Sequence, residues 1–120
     1  MTDSIMTDQP NIDWHRVAEL RSEVGEDGFD EVVELFLEEV DEVTGRLRTM
    51  SGVSGLREEL HFLKGSALNL GFARFAALCA QGEALAARGE AALVDLPALL
   101  SAYARARAAF TTGLTEGRAA

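Results

Sequence analysis

The run Phe29-Asp30-Glu31-Val32-Val33-Glu34-Leu35-Phe36-Leu37-Glu38-Glu39-Val40-Asp41-Glu42-Val43-Thr44-Gly45-Arg46-Leu47 mixes apolar and acidic residues with a helical period. Phe29, Val33, Phe36, Val40, Val43 and Leu47 are spaced by 4, 3, 4, 3 and 4 residues, which stacks them along one side of an α-helix. Asp30, Glu31, Glu34, Glu38, Glu39, Asp41 and Glu42 fill the remainder as a solvated acidic face. The spacing predicts a helix over about 28–50, ~35 Å long at ~1.5 Å per residue, with a seam that other helices must cover.

Helical patterns flank this run on both sides. Upstream, Trp14, Val17, Ala18 and Leu20-Arg21 wrap one side of a helix predicted over about 12–24, which Gly25 stops and Asp27-Gly28 turns. Residues 1–11 are polar, aperiodic and contain Pro10, the pattern of a loose arm. Downstream, Met50-Ser51-Gly52-Val53-Ser54-Gly55 breaks the pattern, with Ser54 as the expected N-cap of a helix over about 55–70. That helix turns Leu56, Leu60, Leu63, Ala67 and Leu70 inward and ends at Gly71. A further helix over about 73–88 is expected to bury Phe75, Leu78, Cys79 and Leu85 before Gly89. Asp95 then caps a fifth, with Pro97 in its first turn and Leu99, Leu100, Tyr103, Ala106 and Phe110 on its apolar side. Helices of this length joined by short loops pack as an all-α, antiparallel up-down four-helix bundle, here with a short additional N-terminal helix over one end. One domain is expected over 12–114, with 115–120 frayed.

Composition bounds the function. With 120 residues, 48% of them hydrophobic, the chain can bury a core, and its two prolines suit helices. Asp and Glu number 20 against 11 Lys and Arg, a formal net charge of −9, which disfavours nucleic-acid and anionic-membrane partners. No apolar run approaches the roughly 18 residues of a membrane span, and Met1-Thr2-Asp3-Ser4-Ile5-Met6 lacks the apolar core of a signal peptide. A cytoplasmic location is expected. Cys79, the single cysteine, reads as a small core residue.

The chemistry lies in His61-Phe62-Leu63-Lys64-Gly65-Ser66-Ala67-Leu68-Asn69-Leu70-Gly71. On a helix His61 shares a face with Lys64, Gly65 and Leu68, with Arg57 one turn before it, while Leu60, Leu63, Ala67 and Leu70 point into the bundle. His61 is therefore expected to stand exposed in mid-helix. Gly65 costs about 1 kcal/mol relative to alanine there, which calls for a reason. Its missing side chain clears space beside the imidazole, and Lys64 brings a positive charge to that space. An imidazole is a good nucleophile near pH 7, since its unperturbed pKa is ~6.5. Phosphoryl transfer needs placement and charge neutralisation more than covalent machinery. No cluster here would hold a nucleotide or a divalent cation, so the site can accept and pass phosphate but not draw it from ATP.

The stretch resembles the histidine phosphotransfer (HPt) domains of bacterial phosphorelays, whose signature runs His-x-Leu-Lys-Gly-Ser with a Leu-Gly pair closing the helix. Residues 61–66 and Leu70-Gly71 carry the match, and the helical layout of about 12–112 agrees with that family's bundle. The resemblance implies that His61 is phosphorylated, that Lys64 neutralises the phosphoryl group, that Gly65 clears its path and that Ser66 supports the site. It also implies response-regulator receiver domains or a hybrid histidine kinase as partners. No cofactor of its own is expected, any Mg²⁺ being predicted to come from the receiver's acidic pocket. Two departures are Ala67, where a second serine is common, and Leu60, where alanine is frequent.

Other readings stand beside this one. His15 has no supporting pattern and reads as a plain surface histidine. Glu58-Glu59-Leu60-His61 contains the Glu-x-x-His spacing of di-metal bundles, but Ile12 stands where a second copy at His15 would need its glutamate. Val32, Leu35 and Leu68 are either a wider core stripe or, with Arg57, a docking patch for a receiver. A sensor-kinase dimerisation module usually has an acid directly after its histidine and a proline one turn on, where this chain has Phe62 and no proline before Pro97. A non-catalytic helical adaptor is the third reading. The phosphocarrier is expected to be monomeric, which separates it from the dimerisation module.

Overall fold

The computed structural model describes residues 12–49 and 54–116. The expected arm over 1–11, most of the break after the long helix and the last four residues lie outside the described residues. Five α-helices follow in order: α1 (Trp14–Val24), α2 (Glu26–Thr49), α3 (Leu56–Leu70), α4 (Ala73–Ala87) and α5 (Leu96–Thr115), with a 3₁₀ turn at Ala91–Leu93 before α5. Contacts across the helices set their directions. Arg46 of α2 meets Glu59 of α3 while Val43 shares a cleft with Phe62, so α2 and α3 run antiparallel. Phe72 packs on Phe110 and Phe75 on Tyr103, so α4 and α5 do too. The result is the all-α up-down bundle. α1 lies across one end, where Trp14 stacks on Phe110 at 5.9 Å and Arg16 reaches Asn69.

The core follows the expected periods. Phe29, Val33, Val40, Val43 and Leu47 of α2 are buried, as are Leu56, Leu60, Leu63, Ala67 and Leu70 of α3. Phe36 is only half-buried, and so are Leu78 and Leu85 of α4, where Ala76 and Gly82 take the inward positions. Ala18 is exposed rather than packed. Asp41, expected on the solvated face, is half-buried. Its carboxylate accepts from Tyr103 Oη at 2.6 Å and from Arg107 at 3.0 and 3.2 Å, tying α2 to α5. Burial first, and then the hydrogen bond to Asp41, raises the Tyr103 phenol above its ordinary range and keeps it a donor.

Two helix starts differ from the sequence reading. The expected Asp27-Gly28 turn is the first turn of α2. Gly25 makes the corner alone: at φ 84 its N–H donates to Arg21, while its carbonyl accepts from Gly28 and Phe29. Glu26 and Asp27 then suit the positive end of the helix dipole and extend α2 upstream. Ser54 does not cap α3; Gly55 occupies the cap position in the left-handed region without a side-chain bond. Asp95 does cap α5, accepting from Ala98 N–H at 3.0 Å, with Pro97 in the first turn. Gly71, at φ 82, ends α3 as expected, and its carbonyl accepts from Asp13 N–H at 2.7 Å. A Cβ there would fall 2.7 Å from the Asp13 carbonyl oxygen, so the turn between α3 and α4 requires glycine.

Candidate functional site

α3 and α4 form the most extensive helix pair of the bundle. Their short turn at Gly71-Phe72 makes a hairpin in which residues equidistant from Phe72 face each other. His61 and Glu83 are each eleven residues away from it. They meet: His61 Nδ1 lies 2.8 Å from Glu83 Oε2. Gly82 allows the approach. A Cβ on Gly82 would come within 2.8 Å of Leu60 Cδ1 and 3.4 Å of Val94 Cγ1, so its bare backbone lets α4 settle against the residue preceding the histidine.

Glu83 holds a second cation. Lys64 Nζ sits 2.8 Å from Oε1, a charge pairing rather than an aligned hydrogen bond, since that buried oxygen makes no hydrogen bond. The ammonium of Lys64 first, and then the His61 ring, hold the Glu83 carboxyl below the usual carboxylate range. An ionised carboxylate only accepts, so Nδ1 carries the proton, and the neutral form of the ring then has its lone pair on Nε2. The His61 side chain is 69% exposed, so Nε2 is open to an incoming electrophile. The arrangement is a nucleophile on a rigid helix with its tautomer fixed by a neighbour, the logic of an oriented catalytic histidine.

The remaining sequence-predicted residues fall around it unevenly. A Cβ on Gly65 would meet nothing within 4 Å, so packing does not explain this mid-helix glycine and the space beside His61 is clear. Arg57 is exposed and lines a cleft of about 320 Å³ with Glu58, His61 and Glu83. Leu68 is exposed on the His61 face. Ser66 is turned to the buried side at 6% exposure, and no hydrogen bond joins it to His61, Lys64 or Glu83. Val32 is half-buried against the core, while its neighbour Leu35 is 55% exposed. His15 is a surface residue beside Glu19. Cys79 is fully buried one turn before Glu83, and burial pushes its thiol up to about 12, an inert core cysteine at neutral pH. Among the described residues no group of three or more His, Cys, Asp or Glu side chains gathers to hold a metal ion.

Glu83 is the residue that sequence reading missed. As a positioning residue it has a specific signature. If His61 is the phosphoacceptor that the sequence resemblance implies, Glu83→Ala is expected to slow its loading roughly tenfold or more, the size of one charge-assisted hydrogen bond. Glu83→Gln, whose amide oxygen still accepts from Nδ1, is expected to recover part of that loss. Stopped-flow or quench measurements at saturating donor would test this, and a native rate in the alanine variant would remove Glu83 from the site. The pH dependence has a definite sign. The Glu83 carboxyl is lower in the folded chain than the ~4.3 of an unfolded glutamate, so its contribution to stability is present above that value and disappears as pH falls through the lower folded one.

A model of one protein family, the Hpt domain, matches residues 31–110, which contain α3, α4 and most of α2 and α5. No curated protein and no solved structure matches the chain.

Proposed function

The chain belongs to the Hpt domain family, a family of phosphotransfer modules in phosphorelays, and from that premise we propose that it accepts a phosphoryl group on His61 from the phospho-aspartate of one receiver domain and passes it to another. The observation that carries this reading is the Glu83–His61 contact, which engages Nδ1 and leaves the Nε2 edge of an exposed ring free on α3. In the forward step the Nε2 lone pair attacks phosphorus, an N–P bond forms and the P–O bond to the aspartyl carboxylate breaks, its electron pair leaving on that oxygen. Nδ1 keeps its proton, and the positive charge that develops on the ring faces the Glu83 carboxylate. The return step reverses each of these changes, so the chain stores the group without consuming it. Any divalent cation belongs, in this reading, to the receiver's acidic pocket.

The surface around His61 supports a protein partner. Leu68 is 57%, Leu35 55% and Phe62 38% exposed, large apolar side chains left on the α2–α3 face. The antiparallel register set by the Arg46–Glu59 pair brings Leu68 level with about residue 37 of α2, two residues from Leu35. Leu35 and Val32 border a shallow hollow of about 390 Å³ with Glu31, Glu34 and Glu38. A receiver laid over α2 and α3 would cover these groups. Leu68→Glu is then expected to cut the rate of transfer from a receiver while leaving the melting temperature in place, because Leu68 supports no core packing. An unchanged transfer rate would exclude Leu68 from the docking surface.

The function is tested by following phosphate through the chain. A ³²P-labelled receiver is mixed with the protein, and a second receiver is added after the first is removed. An acid-labile, base-stable label on the chain that then moves to the second receiver is the expected result. Absence of label from any of several receivers would favour the helical adaptor instead. The kinase dimerisation reading would require a dimer by sedimentation, whereas the phosphocarrier is expected as a monomer in the cytoplasm.

A further inference from the structure

Lys64 is committed in this structure. It sits 2.8 Å from Glu83 Oε1, and the same carboxylate fixes the His61 tautomer. If Lys64 moved to a phosphoryl group, that buried oxygen of Glu83 would lose its counter-charge. Meanwhile the phosphoryl oxygens bring roughly −2 charges, offset only in part by the charge on the ring, into a cleft already bordered by Glu58 and Glu83. A further cation is therefore needed beside Nε2.

Arg57 meets that need. It stands one helical turn before His61 on the same face, it is exposed, and it makes no hydrogen bond or ion pair with any described residue. Of the groups lining the 320 Å³ cleft it is the one that carries a fixed positive charge. Its planar fork of donors matches the oxygens of a phosphoryl group. Resting on the reading of His61 as phosphoacceptor, we propose that Arg57 binds the phosphoryl oxygens on His61 while Lys64 remains with Glu83. Charge neutralisation is thus divided: Lys64 serves the carboxylate that orients the ring, and Arg57 serves the group being carried.

The test uses two donors, a phosphorylated receiver and phosphoramidate, a small P–N compound that needs no docking surface. With phosphoramidate, Nε2 displaces ammonia from phosphorus as the N–P bond to His61 forms, the amine leaving with a proton from solvent. Arg57→Gln is expected to slow loading of His61 roughly tenfold with both donors, the scale of a charge-assisted hydrogen bond. Arg57→Lys is expected to keep much of the rate, and both variants to melt with the native chain. Slowing with the receiver alone would overturn the proposal by making Arg57 a docking residue. Native loading of Arg57→Gln by phosphoramidate would overturn it as well. Failure of the phosphocarrier reading is separately visible, because the native chain would then be loaded by phosphoramidate and still never exchange with a receiver.

Discussion

Replacing His61 by glutamine is expected to abolish phosphoryl acceptance altogether, with label on the variant no higher than background after exposure to a phosphorylated receiver. Glutamine retains a polar, similarly sized side chain but has no basic nitrogen, so no N–P bond can form. The loss is chemical rather than structural. The His61 side chain is 69% exposed and packs into no core, and a surface substitution of that kind stays within about 0.5 kcal/mol of native stability. Circular dichroism melts of the two proteins are therefore expected to superimpose. His15→Gln is the matched control: it removes the other histidine, which pairs with Glu19 on α1, and is expected to label as the native chain does. Equal labelling of His61→Gln would place the acceptor elsewhere.

The largest stability effect is expected at Phe72. This residue is fully buried between α3, α4 and α5, with its ring 5.3 Å from Phe110 and 6.1 Å from Tyr103. Its backbone also closes the hairpin, donating to Ala67 and accepting from Ala76, both at 2.8 Å. Phe72→Ala should leave a cavity that the aromatic neighbours fill only in part, at a cost of about 3–5 kcal/mol. Against a total stability on the order of 5–15 kcal/mol, that is a large share. Urea unfolding would measure it, and a loss below about 1 kcal/mol would mean that the end of the bundle collapses freely around the missing ring. Because the same turn sets the pairing of His61 with Glu83, folded Phe72→Ala is also expected to transfer more slowly.

Much of this was legible in the sequence, and the limits have physical causes. The 4-3 spacing of Phe29 to Leu47 fixed the long helix and its inward face, because burial on one side of a helix leaves a periodic trace. His61, Lys64 and Gly65 were legible because they share one helix, where spacing translates directly into geometry. Glu83 was not, because it acts from another helix, and single-helix periodicity carries no information about which residues meet across a pair. One signal was available: an antiparallel hairpin centred on Phe72 pairs residue 61 with 83, and a glycine directly before that acid marks close approach. Asp41 was misjudged for the same reason, its partners Tyr103 and Arg107 lying on α5. The turn at Asp27-Gly28 was misplaced because Gly25 alone, with positive φ, both ends α1 and accepts the first bonds of α2.

The most direct measurement is the position of the phosphoryl group on the loaded chain. The protein, labelled with ¹⁵N in its histidine rings, is phosphorylated by a receiver and observed by ¹H–¹⁵N and ³¹P NMR. The account requires phosphorus on Nε2 of His61, with the Nδ1 proton still present and hydrogen-bonded to Glu83. Phosphorus on Nδ1, on His15 or on no histidine at all would contradict it.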